Sequence, residues 1–307
     1  MGGSSGVFRG EHRSPQDIAA QLRNTAEKES RDFENSLSKI FNALLVKLND
    51  RDAGAVRIRL EEIKAILGDT IESSVDTMFG GSVAKHTYVD GISDVDSLLV
   101  LQKNDELPPH KLLRLIAGTL KKQLDSISSV SVGDMAVTVT YDKGPEIQLI
   151  PAIKSENSIK IPDSTSDAWS KIDPQRFSAA LSKRNEECAG KLIPTIKLAK
   201  AINANLPQQL RLTGYHIEAL GVAAFREYEG VKTTAVMLPH FFKAASQLVL
   251  SPITDKTGQS VHVDEHLGGA NSDLRQALGH TLTRLHMRML NASAAHSEAR
   301  WRDLFGE

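Results

Sequence analysis

The stretch Phe79-Gly-Gly-Ser-Val-Ala-Lys-His-Thr-Tyr-Val-Asp-Gly-Ile-Ser-Asp-Val-Asp-Ser-Leu-Leu-Val-Leu101 places a glycine-rich turn before a pair of aspartates. Glycines at 80 and 81 let the backbone approach an anion, and the Ser82 hydroxyl can donate to a phosphate oxygen. Asp94 and Asp96 open an apolar run, and side chains two apart on a strand share a face, so the pair can hold a hard cation. A Gly-Gly-Ser turn or an Asp-x-Asp pair alone is common in solvated loops, but this order, followed by a buried strand, favours a site for triphosphate and magnesium.

The composition is that of an ordinary globular protein. The 307 residues are 40% hydrophobic, which is enough to bury a core in one or two domains. The single cysteine, Cys188, excludes an internal disulfide and a multi-thiolate zinc site, and no apolar run reaches the roughly eighteen residues of a membrane span. We therefore expect a cytoplasmic protein. A formal net charge of -1 argues against long nucleic acid as a partner.

The N-terminal part predicts a tail followed by two helices. Residues 1–14 lack the apolar core of a signal peptide and are expected to be a flexible tail. Ser14-Pro15 is a helix start. The three-and-four spacing of one buried helix face recurs at Phe33, Leu37, Ile40, Phe41, Leu44 and Leu48. A second helix is expected between a cap at Asp52 and Gly68.

The middle third has an α/β pattern and the remainder is helical. Strands are predicted at 97–102, 135–141 and 146–150, the last two forming a hairpin that Pro151 ends, with a helix at 110–124. Helices are predicted at 177–185, 188–203, 214–225, 239–249 and from 272 to about 296. His262-Val-Asp-Glu-His266 has zinc-ligating residue types, but the glycines that follow favour a polar loop.

These motifs resemble a known superfamily. Gly80-Gly-Ser82, then Ser93-Asp-Val-Asp96 leading a strand, then Ile150-Pro-Ala152 ending a later one, are similar to the polymerase-beta-like nucleotidyltransferases. The helical half resembles the branch that holds oligoadenylate synthetase, cyclic GMP-AMP synthase and the bacterial CD-NTases of anti-phage systems (CBASS). That likeness rests on Lys191-Leu-Ile-Pro-Thr-Ile-Lys-Leu-Ala-Lys-Ala-Ile202, Leu212-Thr-Gly-Tyr-His-Ile-Glu-Ala-Leu220 and Trp301-Arg-Asp-Leu-Phe-Gly306.

The resemblance implies an α/β (α+β), bilobed fold with a small mixed sheet, a C-terminal helical lobe and long N-terminal helices. The implied division is a tail over 1–14, a nucleotidyltransferase core over 15–163 and an oligoadenylate synthetase-like helical lobe over 164–307. The implied partners are nucleoside triphosphates and a HORMA-type or other protein regulator, with no membrane.

The resemblance also implies roles for individual residues. Asp94 and Asp96 would be catalytic and would hold two Mg²⁺ or Mn²⁺ ions, with ATP and other ribonucleoside triphosphates as substrates. The β- and γ-phosphates would lie against Gly81 and Ser82. From the helical lobe, Lys197 would reach the triphosphate and Tyr215 would stack on a base.

The chain departs from the family at the third metal ligand. The carboxylate expected three residues before the strand's proline is Gln148 here, and Glu146 lies two residues earlier on the same face. A neutral amide offers a carbonyl oxygen to magnesium but no negative charge, and Glu146 could replace it only if the strand shifts or bulges. Three functions therefore stay open: a cyclic oligonucleotide synthase, a template-independent transferase making linear products or RNA tails, and a non-catalytic nucleotide-binding relative.

Overall fold

The computed structural model describes residues 14–49, 53–70, 75–79, 87, 89, 95–101, 107–125, 127–142, 146–155, 158–163, 166–172, 174–253 and 264–307. The helices are α1 (Pro15–Asn49), α2 (Ala53–Thr70), α3 (Pro109–Gln123), α4 (Pro174–Glu187), α5 (Leu192–Ala204), α6 (Gly214–Ala224), α7 (Thr234–Leu248), α8 (Asp273–Ala294) and α9 (Glu298–Leu304). The strands are β1 (Val75–Phe79), β2 (Val95–Leu101), β3 (Ile127–Val132), β4 (Val137–Tyr141), β5 (Ile147–Ser155), β6 (Ser158–Pro162) and β7 (Trp169–Ile172).

Helix α1 begins at a reciprocal cap and is buried only along its second half. Ser14 Oγ accepts from the Asp17 backbone N–H at 3.1 Å, and Asp17 Oδ2 accepts from the Ser14 N–H at 3.1 Å. These hydrogen bonds lower the pKa of Asp17. Over 35 residues the helix extends about 52 Å. Its buried stripe begins near Leu37 and Phe41, whereas Leu22 is 67% exposed. The predicted long amphipathic helix is confirmed.

The described strands form one mixed sheet in the order β1-β2-β5-β4-β3. In addition, β6 pairs with β5, and β7 pairs with β6. Strands β2 and β5 are parallel, and the other pairings are antiparallel. Parallel neighbours need a long crossover, and α3, β3 and β4 lie between these two strands in the chain. The predicted small mixed sheet is thus confirmed, and its central pair joins two strands distant in sequence.

Strand β5 does not end at Pro151, so the prediction that this proline stops the strand is wrong, although the hairpin pairing with β4 does end before it. Pro151 pairs with Leu99 of β2, and the strand continues to Ser155. The described pairing with β4 ends at Leu149 and that with β6 begins at Ile153. Pro151 therefore occupies a place where β5 has a single paired strand, and a residue without an N–H is tolerated there.

Helix α7 corrects a second prediction based on proline. The sequence placed its start at Pro239, but the helix begins at Thr234 and contains Pro239 in its interior. Met237, Leu238 and Phe241 around the proline are almost fully buried. Their burial offsets the missing backbone hydrogen bond.

The sheet and the helices have separate hydrophobic cores. One sheet face, represented by Leu99 and Leu149, packs with residues of α2 and α3. The opposite face carries a smaller cluster of Leu98, Val100 and Ala152. A third and larger core unites the second half of α1 with α4 to α9. The predicted bilobed architecture is confirmed, with α1 packed in the helical lobe and α2 on the sheet. The boundary at 163/164 stays a prediction; β7 lies beyond it in the chain.

We expect the α1 contact to be a main source of stability in the helical lobe. Phe41 is 1% exposed and lies edge-on to Trp301, with ring centroids 5.3 Å apart. Phe41→Ala should lower the free energy of unfolding by about 3–5 kcal/mol, because it leaves a cavity in a packed core. Leu22→Ala, on the exposed half of the same helix, should change it by less than about 0.5 kcal/mol. Equilibrium urea denaturation measures both, and equal losses would show that α1 is not anchored through Phe41.

Candidate active site

The predicted catalytic strands lie side by side. In the parallel register of β2 and β5, Asp96 pairs with Gln148, and on the other side of β5 Gln148 pairs with Thr138 of β4. Paired positions of neighbouring strands are about 4.8 Å apart and share a face of the sheet. The second aspartate of the Asp-x-Asp motif and the third-ligand position are therefore brought together by tertiary structure. Gln148 is half-buried.

The remaining residues of the motif lie outside the described part of the chain. Asp94, Gly81 and Ser82 are not described, and of Asp96 only the backbone position is. Their roles as metal and phosphate ligands stay predictions.

Glu146 lies next to this pair but is not shifted into it. From Ile147 to Ile153, β5 pairs with β2 residue by residue, without the bulge that would move Glu146 to the place of Gln148. Instead, Glu146 lies just before β5 and its Oε2 accepts a hydrogen bond of 3.1 Å from Thr140 Oγ1. Gln148 keeps the position opposite Asp96, and Glu146 adds a second side-chain oxygen group two residues earlier.

This face suits a hard cation by the chemistry of its donors. The described residues contain no ready cluster of three metal-ligating His, Cys, Asp or Glu side chains. The sequence nevertheless supplies carboxylates at Asp94 and Asp96, β5 supplies the amide oxygen of Gln148 beside Asp96, and the carboxylate of Glu146 lies just before β5. Such all-oxygen donors are those that Mg²⁺ prefers. The residues therefore fit the ions that the family implies.

The two predicted helical-lobe residues each have a partner there. Lys197, on α5, donates from Nζ to the side-chain amide oxygen of Asn49 at the end of α1. Tyr215, in the first turn of α6, packs against Phe177 of α4 with ring centroids 4.9 Å apart. Both side chains are partly exposed, so each keeps some surface for a ligand. Their contacts with nucleotide stay predictions.

A buried ion pair beside these residues was missed in the sequence. Lys200 Nζ donates to Glu218 Oε1 at 2.8 Å and to the Thr87 carbonyl oxygen at 2.9 Å, and the Thr87 hydroxyl also donates to Glu218 Oε1. Lys200 and Glu218 are 2% and 1% exposed. A single acidic residue in the otherwise apolar helix α6 was the available signal, because such a residue needs a buried partner.

A second buried cluster accounts for part of the His262–His266 motif. Asp264 Oδ2 accepts from Arg275 Nη1 at 2.8 Å, and Arg275 also donates to the carbonyl oxygens of Val249, Ser251, Asp264 and Gly268. The carboxylate of Asp264 thus balances a fully buried arginine. His262 lies outside the described residues, and His266 is exposed. The predicted polar loop is therefore partly a structural link between α8 and the segments before it.

His216, next to Tyr215, faces this cluster as a neutral side chain. Its Nε2 lies 3.8 Å from Asp264 Oδ2, and its ring nitrogens have no hydrogen-bond partner among the described residues. The nearby carboxylate favours the charged form, but complete burial outweighs it and lowers the pKa of His216 to about 4. His216 is thus uncharged at neutral pH, and its distance to Asp264 does not represent an ion pair.

With this geometry in place, comparison with known proteins defines the class. Residues 16–185, more than half of the chain, match the family described as Second Messenger Oligonucleotide or Dinucleotide Synthetase domain. The chain belongs to this family. The match confirms the resemblance to bacterial CD-NTases of the polymerase-beta-like superfamily, so the chain is a nucleotidyltransferase by family.

Solved structures share its fold along most of their length. Escherichia coli MS115-1 CdnC with ATP has a TM-score of 0.65 at 15% identity, covering 88% of this chain and 98% of that one. Bradyrhizobium diazoefficiens CD-NTase CdnG in complex with GTP has a TM-score of 0.67 at 14% identity, covering 84% and 92%. At such identities the likeness confirms the architecture alone.

One curated protein shares a shorter stretch. The CCA-adding enzyme of Pyrococcus abyssi (strain GE5 / Orsay) is 28% identical over 112 residues, which cover 34% of this chain and 24% of that enzyme. The chain thus corresponds to about a quarter of that enzyme's length. Separately, no described helix has the length and apolarity needed to cross a membrane.

Burial of His216 predicts a pH dependence of stability. Its folded-state pKa of about 4 lies below the ordinary 6.5, so between these values the unfolded chain binds the extra proton. The free energy of unfolding should therefore fall as the pH drops from about 6.5 to about 4, by up to about 1.4 kcal/mol per pH unit. Urea denaturation across this range should show a flatter pH dependence in His216→Gln, whereas His280→Gln, at an exposed site on α8, should keep the wild-type slope. Equal slopes in wild type and His216→Gln would contradict a buried neutral His216.

Proposed function

We propose that this protein joins ribonucleoside triphosphates, including ATP, into a cyclic oligonucleotide second messenger, and that it acts in the cytoplasm in CBASS anti-phage defence. The observation that carries this proposal is the parallel pairing of Asp96 with Gln148 in a chain of the synthetase family. That register supports the proposal because it pairs Asp96 with Gln148, the position at which the resemblance implies a third metal ligand.

The chemistry is an in-line displacement in which a ribose hydroxyl of one nucleotide, losing its proton, forms a bond to the α-phosphorus of a triphosphate and pyrophosphate leaves. Asp94, Asp96 and Gln148 would hold two Mg²⁺ or Mn²⁺ ions, which supply Lewis-acid stabilisation of the attacking and leaving oxygens when bound. Gly81 and Ser82 would hold the outer phosphates through backbone N–H groups and a hydroxyl. These groups would orient the triphosphate and stabilise the negative charge that develops on it in the transition state.

The helical lobe would complete the nucleotide site. Lys197 carries a mobile point charge on a helix whose neighbours are fixed in the core, and its bond to Asn49 leaves it partly exposed. Tyr215 is supported from behind by Phe177, so an exposed part of its ring is held in place for stacking on a base.

A second candidate is a transferase that releases linear products or extends RNA tails. The stretch of identity with the CCA-adding enzyme supports this alternative, because that enzyme is named for adding nucleotides and not for making a cyclic product. A third candidate, a non-catalytic nucleotide-binding relative, is supported by the neutral Gln148 opposite Asp96. The measured product and its metal dependence separate the three.

A HORMA-type protein is the regulator that we propose. The fold also matches the Escherichia coli MS115-1 CdnC:HORMA-deltaN complex, with a TM-score of 0.60 at 13% identity. Strong turnover by the isolated protein would remove the need for such an activator.

The decisive experiment follows pyrophosphate release and products from mixed ribonucleoside triphosphates with Mg²⁺ or Mn²⁺. We expect a product that resists phosphatase, because a cyclic oligonucleotide has no terminal phosphate. The double variant Asp94→Asn with Asp96→Asn should stay folded and make no detectable product, because it keeps side-chain size but removes both negative charges.

Three results would change the proposal. Wild-type turnover in the double variant would refute the assignment of these aspartates and with it the reaction. Products from which phosphatase removes a terminal phosphate would favour the linear transferase. A wild type that binds ATP without turnover under either metal, both alone and with a HORMA-type protein added, would favour the non-catalytic relative.

Charge at position 148 gives a further prediction. Gln148→Asp should retain or increase turnover and should lower the Mg²⁺ concentration for half-maximal activity by about tenfold, because it adds a negative charge beside Asp96. Glu146→Gln is the matched change two residues away, and we expect it to retain turnover because β5 pairs without a shift. Magnesium titrations of initial rate measure both. Loss of activity in Glu146→Gln alone would assign the third ligand to Glu146.

A further inference from the structure

The buried cluster of Lys200, Glu218 and Thr87 bonds a residue from the chain between β1 and β2 to the helical lobe. Lys200 lies on α5 and Glu218 on α6, and both helices contribute to the core of the helical lobe. Thr87 lies in the chain between Ser82 and Asp94, the two ends of the motif that defines the catalytic chemistry. The helical lobe is therefore bonded to the middle of this motif.

The cluster binds Thr87 through the backbone and the side chain of that residue. The carbonyl oxygen accepts from Lys200 Nζ at 2.9 Å, and the hydroxyl donates to the same Glu218 oxygen that accepts from Lys200 at 2.8 Å. Thr87 is 0% exposed. A carbonyl and a hydroxyl of one residue, held by two different helices, leave that residue little freedom to move relative to the helical lobe.

A buried ion pair holds Thr87 against the helical lobe at a cost in free energy. Removing both charges from water has a large desolvation penalty, and an apolar contact of similar volume is often as stabilising. Charged groups differ from apolar ones in that their hydrogen bonds are directional and so specify position. The cluster therefore suits a point of the chain whose location matters more than its burial.

We propose that Lys200 and Glu218 are positioning residues that fix Thr87, which lies in the chain between Ser82 and Asp94, against the helical lobe. The catalytic part of this inference rests on the proposed function. The two residues act through Thr87 rather than on the substrate. A misplacement of about 1 Å in catalytic groups can lower the rate about 100-fold, so loss of the cluster should affect turnover more than binding.

The test compares Glu218→Gln with Asp264→Asn, a matched variant in the second buried ion pair of the helical lobe, which bonds Arg275 and not Thr87. At a temperature where both are folded, Glu218→Gln should lower kcat about 100-fold with KM for ATP changed less than about threefold, whereas Asp264→Asn should keep kcat within about threefold of wild type. Amide hydrogen exchange of the peptide containing Thr87 and Val89 should accelerate in Glu218→Gln alone.

Two further variants at Thr87 change no buried charge, and they test the same role if Glu218→Gln fails to fold. Thr87→Val removes the hydroxyl donated to Glu218 at nearly constant volume, and Thr87→Ser keeps it. Turnover should fall in the valine variant and lie close to wild type in the serine variant.

The outcomes separate this inference from the proposed reaction. Equal losses of kcat in Glu218→Gln and Asp264→Asn, with unchanged exchange at Thr87, would overturn the positioning role and leave the reaction standing. A wild type without turnover even with a HORMA-type protein added, in which Glu218→Gln still accelerates exchange at Thr87, would refute the reaction and support the cluster as the anchor of Thr87.

Discussion

The parallel pairing of β2 with β5 is the constraint on which the rest of the structure depends. A parallel pair cannot be closed by a hairpin, so a long connection must separate β2 from β5 in the chain, and it contains α3 and the sheet's other strands β3 and β4. The same register decides the faces. Leu99 and Leu149 lie on the face covered by α2 and α3, which leaves Asp96 and Gln148 on the opposite face. A one-residue slip of either strand would exchange these faces, so burial of the apolar residues also specifies the site.

The second lobe supplies what a sheet alone cannot. Its core includes the second half of α1, although that helix precedes the sheet in the chain. The N-terminal helix therefore ties the beginning of the sequence to its end, where Trp301 meets Phe41 edge-on. A rigid helical lobe can present Lys197 and Tyr215 from supported positions, because Asn49 and Phe177 hold them from neighbouring helices.

Buried charge is concentrated in the helical lobe and is compensated there. Arg275 is matched by Asp264 and by backbone carbonyls, and Lys200 is matched by Glu218 and Thr87. His216 shows the alternative response to burial, since its low pKa makes it neutral instead of paired. Pairing with an opposite charge orients the two partners, whereas a neutral histidine without a hydrogen-bond partner among the described residues orients none. This difference explains why the lysine cluster, and not the histidine, is the feature that we connect with the reaction.

The sequence by itself determined the class of the protein, because local signals carry it. Alternation and three-and-four spacing predicted the main helices and several strands. The Gly-Gly-Ser turn and Asp-x-Asp pair predicted a site for triphosphate and magnesium, and their resemblance to a known superfamily implied a nucleotidyltransferase. Proline misled this local interpretation twice: at Pro151 the strand has one paired neighbour, and at Pro239 core packing offsets the broken helix bond. The pairing of Asp96 with Gln148, the separate cores and the Lys200–Glu218 ion pair were decided only by the tertiary structure. Each joins residues far apart in the chain, and the hydrophobic pattern of a single segment records that a face is buried without recording what covers it.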